Sequence, residues 1–104
     1  MVNKSKDGFE IDRTKYTRLM ADNLPMLRAK LELSQTELAE MIGITRQTIS
    51  SAENGMRELS WGNFLSLLFV FYQNEATRIL LPILGIYTPE LAGLFNVTDL
   101  EKLK

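Results

Sequence analysis

Positions 34 to 54 read Ser-Gln-Thr-Glu-Leu-Ala-Glu-Met-Ile-Gly-Ile-Thr-Arg-Gln-Thr-Ile-Ser-Ser-Ala-Glu-Asn. Few folds accommodate this run, because it encodes two short helices joined by a tight corner. Ser34 is a helix N-cap, and Glu37 completes the Ser-x-x-Glu box in which each side chain satisfies the other's backbone N–H. Leu38, Ala39 and Ile42 follow at helical spacing. Gly43 stands where a left-handed residue ends the helix, a conformation glycine takes without steric cost. Ile44 is apolar and plugs the corner. Thr45 caps the next helix, which runs through Arg46 to about Glu53 with Ile49 and Ala52 facing inward. Arg46, Gln47, Ser50 and Ser51 fall on its outward side, and Asn54-Gly55 closes the unit with a turn signal. Ala39 is small, which suits helices that cross closely over a short turn.

A short helix, a tight turn and a second helix opening on hydrogen-bonding side chains is the arrangement that sets a helix into the DNA major groove. Residues 23–68 run from Asn-Leu-Pro-Met-Leu-Arg through Leu-Ser-Gln-Thr-Glu-Leu-Ala and Ile-Gly-Ile-Thr-Arg-Gln-Thr-Ile-Ser to Glu-Asn-Gly. This stretch resembles the phage-repressor (Cro and lambda-repressor, or Xre-type) helix-turn-helix family. The resemblance implies an all-α fold, a compact bundle of five or more helices, and double-stranded DNA as partner. It also implies residue roles. Gln35 matches a position that meets a phosphate from a helix N-terminus. Arg46 and Gln47 match positions that reach base edges, where arginine suits guanine and glutamine suits adenine. Ser51 matches another groove-facing position, with Ser50 beside it. Thr45, Asn54 and Arg57 are the remaining phosphate candidates, which set register without reading sequence. Arg28 and Glu53 match a partly buried ion pair that ties the first helix to the end of the third.

The chain has 104 residues, which is one domain's worth, and it contains neither cysteine nor histidine. Disulfides, thiolate metal sites and the common nucleophile–base pairs are therefore excluded, and the scattered acids show no catalytic spacing. No glycine-rich phosphate loop occurs. An enzyme is not expected, nor is a cofactor or a bound metal. Residues 1–18 are mostly polar and unlike a secretion signal. The longest apolar stretch, residues 64–72, falls well short of the roughly 20 needed to span a bilayer. A cytoplasmic protein is expected. The formal net charge of −1 sits awkwardly with DNA binding, which draws on basic surface. Residues 13–57 hold seven basic and five acidic side chains, a balance of +2, against five basic and eight acidic in the flanks. Positive charge is thus mildly concentrated around the motif, and useful affinity calls for a dimer.

The flanks divide the chain into three parts. Residues 1–12 are expected to form a flexible N-terminal arm. Residues 13–72 form the DNA-binding domain, with residues 14–20 adding a turn or two ahead of a first helix that starts at Asp22 or Asn23. That start follows from Pro25, which a helix tolerates in its first turn. Leu24, Leu27 and Leu31 supply its core face, and Leu33 packs in the bend. Ser60 caps a fourth helix that is apolar nearly all round and so needs cover on more than one side. Residues 73–104 form an apolar helical extension in which Pro82 interrupts a helix, Gly85 stops it, and Thr88-Pro89 opens another. Thr98 repeats a capping box near the end. This extension is expected to dimerise, with Phe69, Phe71, Leu80 and Leu84 as interface candidates. The reading is a homodimeric, sequence-specific repressor on a (pseudo)palindromic operator. The alternative is an antitoxin or anti-repressor whose C-terminal apolar surface holds another protein.

Overall fold

The structure, a computed structural model, describes residues 2–4 and 10–97. The chain enters through an antiparallel ribbon of β1 (Val2–Lys4) and β2 (Glu10–Asp12), with Asn3 opposite Ile11. The sequence reading treats this segment as a flexible arm. Here Ile11 is 1% exposed and joins the core, which gives β2 an apolar anchor.

Asp12 ends the ribbon and caps α1 (Arg13–Lys30), accepting the Lys15 N–H at 3.2 Å. The expected helix start at Asp22 or Asn23 is incorrect. One 18-residue helix runs through Pro25, which lies in its interior. An interior proline costs about 3 kcal/mol through its missing N–H and its clash with the preceding turn. Tyr16, Met20, Leu24 and Leu27 form a continuous buried stripe on either side of it. Each such side chain contributes about 1.5–3 kcal/mol on burial, so the stripe outweighs the proline. The Asn23 side-chain amide also donates to the Leu19 carbonyl at 2.8 Å, just below the proline.

After α1 the chain turns at Glu32, a non-glycine residue with φ of 55°, and Leu33 N–H donates back to Arg28 O at 2.9 Å. Next come α2 (Gln35–Ile42) and α3 (Arg46–Glu53). Gly43 between them has φ of 78°, and a Cβ there would meet nothing within 4 Å. Its requirement is conformational freedom, not space. The Ile44 N–H returns to Ala39 O at 3.0 Å, which fixes the corner. Leu38, Ala39, Ile49 and Ala52 are buried beneath it.

Ser60 caps α4 (Trp61–Gln73), accepting the Asn63 N–H at 3.1 Å. Three neighbours, α1, α2 and α5 (Glu75–Arg78), pack against α4. Phe64, Leu67, Val70 and Phe71 are buried there, while Phe69 remains 67% exposed. Cover on several sides is what an all-round apolar helix demands, and along one ridge it is incomplete. Phe71 is 0% exposed and belongs to the core, so its candidacy for an interface between chains is withdrawn. Leu80 and Leu84 are half-buried against the same core.

The next segment forms two single turns, α5 and α6 (Leu80–Ile83), in place of one kinked helix. Pro82 lies in the first turn of α6, where its N–H would have no helical partner. Gly85 has φ of 80° and ends the run. Thr88 then caps α7 (Pro89–Leu94), accepting the Leu91 N–H at 3.1 Å. The Tyr16 hydroxyl donates to Glu90 Oε1 at 2.8 Å and meets Thr88 Oγ1 at 2.6 Å. A phenol has one proton, so the threonine hydroxyl donates in that second contact. Tyr16 thereby binds α7 to the start of α1, while Leu81, Ile86 and Leu91 enter the common core. The capping pattern expected at Thr98 lies outside the described residues. Apart from the ribbon, regular structure among the described residues is helical, as the all-α reading expects.

Candidate nucleic-acid interface

Two helix starts, those of α2 and α3, come together at one edge of the molecule. Local capping fixes each. Ser34 Oγ accepts the Glu37 N–H at 3.0 Å while Glu37 Oε1 accepts the Ser34 N–H at 2.8 Å, so the capping box is complete. These hydrogen bonds, the backbone one first, hold the Glu37 carboxyl below the ordinary glutamate range. Thr45 Oγ1 accepts the Thr48 N–H at 3.2 Å and so starts α3 at Arg46.

Four side chains join the two starts to α1. The Arg28 guanidinium donates twice to Glu53, from Nε to Oε2 at 2.7 Å and from Nη2 to Oε1 at 3.0 Å. Its Nη1 donates to the Leu33 carbonyl at 3.0 Å, so each of its three nitrogens is engaged. The two side chains are 17% and 7% exposed. The hydrogen bonds to Glu53 raise the Arg28 pKa against the opposing effect of burial, so the guanidinium stays charged. Gln35 Nε2 then donates to Glu53 Oε1 at 2.9 Å, and Arg46 Nη1 donates to Gln35 Oε1 at 3.0 Å. A carboxylate only accepts, so the amino end of Gln35 must face Glu53 and its carbonyl must face Arg46. Glu53 thus sets the orientation of Gln35, and Gln35 holds the guanidinium of Arg46 at the surface.

Arg46 and Gln47 are exposed at the first two positions of α3. Thr45, Asn54 and Arg57 are exposed as well, and Gln35 is half-buried. Ser50 is half-buried on the flank of α3. Ser51 departs from the expected outward placement, at 8% exposed with its Oγ accepting from Gln47 Nε2 at 3.2 Å. It lies beneath Gln47 and supports that side chain. A short hydroxyl one turn behind a glutamine is covered by it, because side chains four apart share a helix face. Sequence reading missed the Glu53–Gln35–Arg46 linkage, whose members lie on different turns of the chain and carry no local signal. It also missed an aromatic stack at the start of α4, where the Trp61 and Phe64 rings lie 4.9 Å apart and Arg13 Cζ sits 5.1 Å from the Trp61 ring.

An exposed arginine and glutamine on the first turn of a helix, held by a second helix start through a tight glycine corner, define a helix-turn-helix of the DNA-reading class. Residues 26–67 match the helix-turn-helix family model. This segment is similar to helix-turn-helix domains of the phage-repressor-like Cro/C1, Xre-like type, which supports a DNA-binding transcription regulator. No curated protein and no solved structure matches the chain. No helix among the described residues is long and apolar enough to cross a membrane.

Proposed function

We propose that this protein is a cytoplasmic, homodimeric repressor that binds a (pseudo)palindromic duplex site and acts by occupying it, without cofactor, metal or catalysis. The observation that carries the reading is the exposure of Arg46 and Gln47 at the head of α3, with Gln35 of α2 beside them. In the proposed complex Arg46 and Gln47 read base edges as bidentate donors and acceptors, each contact discriminating by about 1–3 kcal/mol. Gln35, Thr45, Asn54 and Arg57 hold phosphates and fix register. Ser50 lies along the groove wall, and Ser51 keeps Gln47 upright. The helical segment from α5 to α7 extends the same domain.

Selection of bound sequences from a random duplex pool tests this. The expected result is an enriched site with two related halves about one helical turn apart. The Arg46→Ala variant is expected to lose preference at one base position in each half, at about 1–3 kcal/mol. Recovery of no common sequence, or an unchanged site with Arg46→Ala, contradicts the reading.

The exposed apolar side chains of the C-terminal segment favour a second reading, an antitoxin or anti-repressor that holds another protein there. Ile79, Ile83, Phe95 and Val97 are 59%, 78%, 57% and 61% exposed. Light scattering on the purified chain separates the two. The repressor reading expects a clean dimer, whereas a chain lacking its protein partner is expected to aggregate.

A further inference from the structure

The outward side of α4 carries a ridge made by Leu65 and Phe69, four residues apart and therefore stacked on one line of the helix. Leu68 and Tyr72 fall to one side of that line, and Ser66 and Val70 to the other. A hollow lies on each side. One, about 240 Å³, is completed by Tyr87, whose ring is 5.5 Å from that of Tyr72. The other is completed by Met41 and Ile42 from the end of α2. Phe69, Tyr72 and Met41 are 67%, 43% and 56% exposed, and no charged side chain among the described residues lines either hollow.

We propose that this face binds a second copy of the same chain, with Phe69 of each copy entering the hollow between Tyr72 and Tyr87 of the other. The inference rests on the homodimer reading above and names its surface. Three observations select this occupant. A two-fold contact needs one patch that holds both a projection and its recess, and this patch has both. It lacks charge at its centre, so two copies meet there without like charges opposed. Each edge carries an exposed charge that can pair with one on the other edge. Glu40, next to Met41 in α2, is exposed. At the other edge Arg78 lies against Tyr72, its Cζ 6.0 Å from the ring. A two-fold axis through the Phe69 ridge brings the acidic edge of one copy to the Arg78 edge of the other, twice. The patch also uses the far end of α2, about 9 Å along the helix from Gln35, and leaves the reading edge free.

The test is sedimentation of the full chain and its variants. The wild-type chain is expected to be a dimer at micromolar concentration, and Phe69→Asp a monomer of unchanged helicity. Ile83→Asp, on an exposed apolar residue outside the patch, is expected to remain a dimer. Arg78→Glu is expected to weaken the dimer about tenfold, and Arg78→Glu with Glu40→Lys to recover most of that loss. A monomeric wild type, a dimeric Phe69→Asp, a dimer broken by Ile83→Asp, or no recovery in the charge-swapped pair overturns the proposal. Binding to a single half-site is measured on the same samples. Its absence from both wild type and Phe69→Asp contradicts the DNA reading and leaves the dimer surface standing.

Discussion

Gln35 donates to the carboxylate that anchors α1 and accepts from the arginine that heads α3. Its place at the start of α2 also suits a phosphate contact. A residue with both jobs has a mixed mutational signature. Gln35→Ala is expected to weaken binding to every duplex and also to soften preference at the base read by Arg46, because the guanidinium loses its rest. Comparing the variant's affinity for the selected site with that for single-base changes measures both parts. A uniform loss with unchanged preference would show that Gln35 serves phosphate alone. Tyr16 has a different signature, in pH. Burial raises its pKa first, and the bond to the Glu90 carboxylate adds to this against the opposing Thr88 contact. A tyrosine whose folded pKa exceeds its unfolded value contributes stability that is fully present below about pH 10 and is lost as pH rises through the folded value. The melting temperature of the wild type is therefore expected to fall more steeply above pH 10 than that of Tyr16→Phe. Parallel curves would show that the phenol stays protonated equally in both states.

At the scale of elements, α1 makes the clearest stability prediction. Pro25 is exposed, so Pro25→Ala loses little packing and restores an N–H to the helix. Removing the helix penalty, less the flexibility gained by the unfolded chain, is expected to stabilise the protein by about 1–2 kcal/mol in urea denaturation. A loss of stability would mean that the ring itself packs usefully. The same helix shows what a sequence reveals. The caps at Ser34, Thr45, Ser60 and Thr88 were all legible, because a cap depends on residues within four positions of itself. The Gly43 corner was legible for the same reason. The continuity of α1 was not, since local chemistry at Pro25 argues for a helix start and the buried stripe that overrules it belongs to the tertiary fold. Phe71 and Phe69 are equally apolar in sequence, and their fates differ only by which neighbours α4 meets. The position of Ser51 beneath Gln47 was hidden likewise, because an outward helix face says nothing about which of its side chains covers another.

For the whole molecule, the central difficulty is affinity on a chain of net charge −1. Arg28 is committed to Glu53, which leaves Arg46 and Arg57 as the arginines proposed to meet DNA, both of them exposed. So few cations imply a weak single-domain contact, and this is the physical reason that doubling through the α4 face matters to the account. Its central claim is that duplex DNA meets the paired starts of α2 and α3. The most direct test is an amide chemical-shift titration of the protein with its selected duplex. The largest shifts are predicted at Gln35 and at residues 45–47, with the α4 ridge unmoved. Shifts confined to the C-terminal segment, with Arg46 and Gln47 unperturbed at saturation, would contradict the account.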